Sequence, residues 1–233
     1  MKTAFSIIIP AYNEEHRIGQ ILSQIPGNRG RYLVICDGSD ATPNIISQFA
    51  ATHPGTDLQC LTYSRRLGKG GAVREGFSHA STPYVGFMDA DASTSVTQMV
   101  ALFDALDGAD CVIGSRWLPG SIIPERQGIF RRFESRGFNL IIRLLFGMTL
   151  TDTQCGAKVF KKSAIDAVIG DMVSSGFEFD VELLWRLSQK GYVIKESPIT
   201  WQNKGASRVR GRDVFRMLGG LVAVRFSGGR PDG

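Results

Sequence analysis

Tyr84-Val85-Gly86-Phe87-Met88-Asp89-Ala90-Asp91 sets two carboxylates, one residue apart, directly behind an apolar run. The run is rich in aromatic and branched residues and is bounded by Thr82-Pro83, so it reads as a buried strand. Similar runs begin at Phe5, Tyr32, Leu58 and Cys111, giving intervals of 27, 26, 26 and 27 residues. Between them lie helix-like segments: Glu15 to Ile25, Pro43 to Thr52, Gly70 to His79 and Val96 to Leu106. Pro43 suits a first helical turn, with Asp40 or Thr42 as its cap. Strands alternating with helices predict βαβ units and an α/β fold with a mostly parallel, Rossmann-like sheet. In such sheets ligands bind at the carboxyl ends of the strands, where Asp89 and Asp91 fall. Two hard oxygen donors there suit Mg²⁺ or Mn²⁺ and, through it, a diphosphate. The same stretch, Asp89 to Ser95, also reads as a capping turn for a helix from Val96.

The regular alternation ends near Gly114. Residues 1–115 therefore read as one half of a single domain, 116–210 as its other half, and 211–233 as an amphipathic helix and tail. In the second half Phe130 to Phe146 reads as a helix mixing arginines with large apolar residues, and Ala157 to Lys161 as a strand. Phe179 to Lys190 reads as an amphipathic helix. Tyr192 to Ile194 and Ile199 to Gln202 read as short strands broken at Pro198, and Asp213 to Phe226 as a last helix.

The net charge of +5 is concentrated between Arg116 and Arg143 and from Lys204 to Arg225, which points to an anionic partner. These segments carry no recognisable nucleic-acid module, so no nucleic-acid partner is expected. The four cysteines are too widely spaced for a CxxC pair, and Cys36, Cys60 and Cys111 fall in apolar runs as core residues. No secretory pattern precedes Phe5, and no stretch reaches ~18 uninterrupted apolar residues. The expected location is cytoplasmic.

Further motifs follow the other strands. Pro10-Ala11-Tyr12-Asn13-Glu14 can wall a nucleoside pocket or cap a helix through Asn13. Asp37-Gly38-Ser39 offers a carboxylate to a base N–H, or a plain capping turn. Gly68-Lys69-Gly70-Gly71 opens a helix whose N-terminus can cradle phosphate. It is no Walker A loop, because Tyr63 stands at the first glycine position, and no dinucleotide fingerprint, because GxGxxG from Gly68 ends on Val73.

In order and spacing these motifs, with Gly114-Ser115-Arg116, resemble the family 2 glycosyltransferases of GT-A fold. The likeness is greatest to the polyprenyl (dolichyl) phosphate sugar synthases. Asp152-Thr153-Gln154-Cys155-Gly156-Ala157-Lys158 and Phe179-Asp180-Val181-Glu182 are closer to the dolichyl-phosphate glucosyltransferases than to the mannosyl enzymes. The resemblance implies that 1–115 is the nucleotide-sugar-binding half and 116–210 the acceptor-binding half, with a nucleotide site of Pro10, Ala11, Tyr12, Glu14, Asp37, Lys69, Asp89, Ala90, Asp91 and Arg208. It implies metal held by Asp89 and Asp91, the transferred sugar faced by Asp152 and Gln154, and an acceptor phosphate near Arg116, Arg131, Arg132 and Ser135. Two positions depart from the family pattern: Cys36 replaces the first acid of Asp-Asp-Gly-Ser, and Ser93 stands where mannosyl enzymes often carry glutamine.

A phosphate acceptor also has an independent rationale. An alcohol needs a general base, whereas a phosphomonoester with a second pKa of ~6 is already anionic at neutral pH. The expected activity is inverting, metal-dependent transfer of a hexose, glucose from UDP-glucose, to a polyprenyl phosphate at a membrane surface. The alternatives are a GDP-mannose-dependent mannosyltransferase and a non-catalytic nucleotide-sugar-binding subunit. The processive Gln-x-x-Arg-Trp signature is absent. Phe130 to Phe146 and Asp213 to Phe226 are the candidate membrane-facing helices, on the cytoplasmic face, or else pack on the core or in a homodimer; a membrane-anchoring partner is a further alternative.

Overall fold

The computed structural model describes residues 4–124, 141–202 and 211–227. Seven strands form one sheet: β1 (Phe5–Ala11), β2 (Arg31–Cys36), β3 (Leu58–Thr62), β4 (Tyr84–Met88), β5 (Cys111–Ser115), β6 (Ala157–Lys161) and β7 (Ile194–Pro198). Their order is β3-β2-β1-β4-β6-β5-β7. All neighbours are parallel except β6, which runs antiparallel to both β4 and β5. The expected mostly parallel α/β sheet is thus the one observed, and the chain's second half returns β6 into the middle of the first.

Helices cover both faces: α1 (Ile18–Leu22), α2 (Thr42–Thr52), α3 (Gly68–His79), α4 (Val96–Asp104), α5 (141–146), α6 (Lys162–Asp166), α7 (Phe179–Gln189) and α8 (Gly211–Ser227). Because side chains alternate along a strand, Ile8 points into one core and Ile7 and Ile9 into the other. The Ile8 side holds Phe77, Phe87, Phe160 and Phe179, with Phe87 in ring contact with the other three. Burying a side chain such as Phe87 contributes about 1.5–3 kcal/mol. The opposite core holds Tyr32, Val34, Met88 and Phe103. Such two-sided burial explains why the central strands read as unbroken apolar runs.

Three local expectations are corrected. Helix α1 is shorter than Glu15 to Ile25, because the Glu14 N–H donates to Thr42 Oγ1 at 2.9 Å and the Glu15 N–H to Asp40 Oδ2 at 2.9 Å. Those amides tie the first loop to the second before the helix begins. Thr42 therefore serves β1's exit, and Asp40 Oδ1 accepts from the Thr42 N–H at 3.1 Å. Beyond Tyr192 there is one strand, Ile194–Pro198, in place of two. Pro198 closes it on the sheet edge, where a missing N–H costs no ladder bond. Of the helix expected over Phe130 to Phe146, 141–146 is helical and the rest lies outside the described residues.

Candidate active site

The β4–β6 register pairs Met88 with Ala157, so the exit of β4 meets the entry of β6. There the Asp89 N–H donates to Gly156 O at 3.2 Å, and the carboxylate lies over the glycine. A Cβ at residue 156 would come within 1.8 Å of Asp89 Oδ2. Gly156 is therefore the floor on which Asp89 rests. Asp91 Oδ1 accepts from the Ser93 N–H at 2.9 Å, and Ser95 caps α4 by accepting from the Gln98 N–H at 3.2 Å. The capping reading thus belongs to Ser95, and the two aspartates turn elsewhere. Ala92, between them and the cap, has φ +57, a conformation that costs an alanine about 1–3 kcal/mol and is characteristic of functional loops.

Asp89 belongs to a buried chain of alternating charge. Lys69 Nζ lies 2.9 Å from Asp89 Oδ1 and 3.0 Å from Asp180 Oδ2, and Asp180 Oδ1 also takes the ammonium of Lys158. The Lys158 side chain is wholly buried and that of Asp180 nearly so, while the Asp89 side chain remains 41% exposed. Burial opposes ionisation of Asp89, but Lys69, Lys158 and Arg116 overcome it and hold its carboxyl below the usual range. The same two carboxylates raise the Lys69 ammonium against its own burial.

The glycine-rich turn does a different job from the one expected. The Leu67 and Gly68 N–H groups donate to Asp37 Oδ2 at 2.7 and 3.1 Å, and those of Gly70 and Gly71 donate to Ser175 O at 2.9 and 3.4 Å. The start of α3 is therefore capped from within and is no open phosphate cradle. Its glycines serve packing: a Cβ on Gly70 would meet the Phe179 Cβ at 2.6 Å. That closeness lets α3 aim Lys69 into the site.

The exits of β1 and β2 form the adjoining wall. Asn13, at φ +53, accepts from the Ser39 N–H at 2.9 Å and fastens the two loops together. Arg66 stacks on the Tyr12 ring, its Cζ 4.0 Å from the centroid. Glu14 is buried and holds Arg17 in a fork of 2.7 and 2.8 Å. Burial works against the Arg17 charge, but Glu14 with Asp91 and Asp89 raises its pKa, so Arg17 belongs to the same electrostatic field. Pro10, Ala11, Tyr12, Glu14, Asp37, Lys69, Asp89, Ala90 and Asp91 are thus gathered at one end of the parallel strands.

Past β5, Arg116 donates from Nε and Nη2 to Asp152 at 2.7 and 2.9 Å, and its N–H donates to Asp152 Oδ2 at 3.0 Å. Asp152 is fully buried with both oxygens so engaged. The expectation that it faces a sugar is corrected: it positions Arg116, whose guanidinium lies near Asp89, its Cζ 5.8 Å from the Trp117 ring centroid and 5.7 Å from that of Trp201. Glu196 secures the approach, accepting from the Thr151 and Asp152 N–H groups at 2.9 and 3.1 Å. Gln154 is half-buried. Arg131, Arg132, Ser135 and Arg208 lie outside the described residues. Sequence reasoning missed Arg17, Lys158, Asp180 and Glu196 as parts of the site. Signals were available for two of them: Lys158 stands at an inward position of an apolar strand, and Asp180 lies in the Phe179-Asp180-Val181-Glu182 motif.

The fold has known counterparts. The sequence model described as Glycosyl transferase family 2 matches residues 6–169. The chain belongs to glycosyl transferase family 2. This family 2 chain is 30% identical over 229 residues to Glycosyltransferase AglD of Haloferax volcanii, a match covering 93% of the chain and 35% of AglD. It thus spans about a third of that relative's length. It is 29% identical to the dolichyl-phosphate beta-glucosyltransferase of Saccharomyces cerevisiae, covering 95% of the chain and 74% of the yeast protein. It is also 29% identical to the polyprenol monophosphomannose synthase of Mycolicibacterium smegmatis, covering 89% and 82% respectively.

Among solved structures, the mannosyltransferase PcManGT of Pyrobaculum calidifontis, in complex with GDP-Man and Mn²⁺, superposes with a TM-score of 0.65 at 20% identity. That match covers 98% of this chain and 64% of PcManGT. Glucosyl-3-phosphoglycerate synthase of Mycobacterium tuberculosis, with Mn²⁺, UDP and glucosyl-3-phosphoglycerate, gives 0.68 at 20% identity, covering 99% and 81%. These likenesses are of fold, and the fold is GT-A.

Proposed function

We propose that the chain transfers a hexose from a nucleotide sugar, glucose from UDP-glucose, to a polyprenyl phosphate with inversion at the anomeric carbon. The observation that carries this reading is the state of the carboxylates around Asp89 and Asp91. Glu14 is forked to Arg17, Asp152 to Arg116, and Asp180 to Lys69 and Lys158. Among the described residues these neighbours are engaged with cations rather than poised to take a proton. A nucleophile that arrives already anionic suits such a site, and the cations offset repulsion between its phosphate and the leaving diphosphate. In the proposed step an acceptor phosphate oxygen attacks C1 as the C1–O bond to the diphosphate breaks. Lys69 and Arg116 keep Asp89 ionised, Lys69 holds it in place, and Asp37 presents its second oxygen to the base.

Asp89 and Asp91 fit a hard divalent cation: both are carboxylates, one seated on Gly156, and Mg²⁺ or Mn²⁺ is commonly held by one or two carboxylates with substrate phosphates. Among the described residues no cluster of three or more His, Cys, Asp or Glu forms a metal cage, which accords with a cation shared with substrate. When bound, such an ion neutralises charge on the departing diphosphate. The yeast and mycobacterial relatives, by their names, act on dolichyl phosphate and on polyprenol. Arg131, Arg132, Ser135 and Arg208 enter the proposal from the motif resemblance.

The lipid is proposed to reach the site from a membrane surface. No helix among the described residues is long and apolar enough to cross a membrane. On α5 and α8 the side chains of Ile141, Leu144, Val222 and Phe226 are exposed, and Arg225 Nε joins the two helices by donating to Leu145 O at 3.1 Å. Apolar tips with interleaved arginines suit a headgroup layer. A GDP-mannose donor is the second reading, favoured by the mycobacterial synthase, of whose length the match covers 82%. A screen of radiolabelled UDP- and GDP-sugars against short polyprenyl phosphates, with and without EDTA, tests both readings. Lipid-linked glucose formed only with UDP-glucose and divalent metal is expected. Transfer from GDP-mannose alone moves the assignment to the second reading, and no transfer from any donor overturns both.

A further inference from the structure

Cys36 and Cys60 stand outside the machinery described above, yet they touch its base. Cys36 is the last residue of β2 and immediately precedes Asp37. The β2–β3 register pairs Val34 with Cys60 and Cys36 with Thr62, so the two cysteines are diagonal neighbours on the same face of the sheet. Their sulfurs lie 3.5 Å apart, and both thiols are free. Cys36 is buried, whereas Cys60 is half-buried on the sheet's edge strand, packed with Phe49 and Leu58.

We propose that Cys36 and Cys60 form an oxidisable dithiol whose closure to a disulfide loosens the nucleotide site through Asp37. The oxidant is a hydroperoxide, which can reach Cys60 at the edge. The Cys60 thiolate attacks a peroxide oxygen: an S–O bond forms, the O–O bond breaks, and hydroxide leaves to become water, giving a sulfenic acid. Cys36 sulfur then attacks the Cys60 sulfur; the S–S bond forms, the S–O bond breaks, and a second water departs with the Cys36 proton. Two thiols and one hydrogen peroxide thus give one disulfide and two waters. Cys60, half-buried on the edge strand, is the sulfur a peroxide reaches and so the attacking one, and the hydrogen bond between the two sulfurs lowers the Cys60 thiol and raises Cys36 in the same sense.

To bond, the sulfurs must approach by about 1.5 Å. Cys36 has no slack to do so independently of its neighbour. The Tyr63 N–H donates to Cys36 O at 2.8 Å, and Asp37 Oδ2 is committed to the Leu67 and Gly68 N–H groups. Closure therefore displaces Asp37 from the start of α3 and, on the reading of Asp37 as the base-contacting carboxylate, weakens nucleotide binding by about tenfold.

The test treats the full chain with a few equivalents of hydrogen peroxide and follows it by peptide mapping, amide hydrogen exchange and UDP calorimetry. The expected result is a Cys36–Cys60 linked peptide, faster exchange at Leu67 and Gly68, weaker UDP binding, and full reversal by dithiothreitol. Cys60→Ser should bind UDP like the reduced wild type and respond to peroxide in none of these measurements. Absence of the linked peptide, or a link that leaves Leu67 and Gly68 exchange unchanged, overturns the proposal. If the reduced chain fails to bind UDP while the link and the exchange change both appear, the donor reading fails and the thiol device stands.

Discussion

Asp180 neutralises two buried ammoniums at once, and Asp180→Asn removes that charge while keeping its shape. In the wild type Lys69 and Lys158 are balanced by Asp89 and Asp180, two charges against two. The substitution leaves one positive charge in excess beside a wholly buried Lys158. Breaking a buried pair from one side costs about 3–5 kcal/mol, and the retained amide oxygen argues for the lower end. For a chain of this size, about 3 kcal/mol corresponds to a fall in Tm of roughly 6–12 °C. Lys69 would then depend on Asp89 alone, so the half-activating Mn²⁺ concentration in the transfer assay should rise as well. The sign of a second variant is the sharper test. Asp180→Asn with Lys158→Met restores the balance, so the double variant should recover about half of the lost stability. Calorimetric unfolding of wild type, both single variants and the double variant completes the cycle. A double variant less stable than Asp180→Asn, or a single variant within 2 °C of wild type by the scale used above, refutes the charge-balance argument.

Four other outcomes are expected. Asp91→Asn should abolish most transfer without lowering Tm, and EDTA should do the same to the wild type until Mn²⁺ or Mg²⁺ is restored; full activity of the variant in EDTA sinks the metal assignment. Gly156→Ala forces a methyl onto Asp89 Oδ2, so turnover should drop at least tenfold, measured with saturating donor. Glu182 is buried, which opposes its charge, yet Ser174, Val173 and Arg186 together hold its carboxyl below its ordinary 4.5. Its stabilisation is therefore present above the unfolded value and lost as pH falls through the lower folded value, so Glu182→Gln should lower Tm at pH 7 and flatten its acid decline. Replacing Leu144 and Phe226 together with serine should weaken binding to anionic liposomes in a flotation assay while leaving UDP binding unchanged.

Much of the fold was legible because its signals are local. Four parallel strands, β1, β2, β4 and β5, were marked by apolar runs that two-sided burial requires, the edge strand β3 by its spacing, and β6 by the short run Ala157 to Lys161. Its antiparallel insertion between β4 and β5 was not legible, since strand order depends on distant pairing. The acid pair was legible for the same reason as its strand. The Gly68 turn was misjudged because its N–H groups are consumed by Asp37 and by Ser175 O, partners remote in sequence. Asp152 looked like a ligand residue, and only its bidentate bond to Arg116 reveals a positioning role. Asp180 lay in a recognised motif, but its task depends on two lysines contributed by α3 and β6.

The Arg116–Asp152 pair has a consequence for how this scaffold can diversify. It joins the residue just past β5 to one shortly before β6, and so ties off the whole segment 117–151 at its neck. Chain inside a closed neck can lengthen at little cost, about 0.6 kcal/mol for each doubling of a flexible loop. That freedom belongs to the exposed positions of the segment, such as Pro119 and Gly120, whereas Ile142, Phe146 and Met148 are anchored in the core. The neck acts as a clasp: β5 and β6 keep their register while the exposed chain beyond Arg116 changes length.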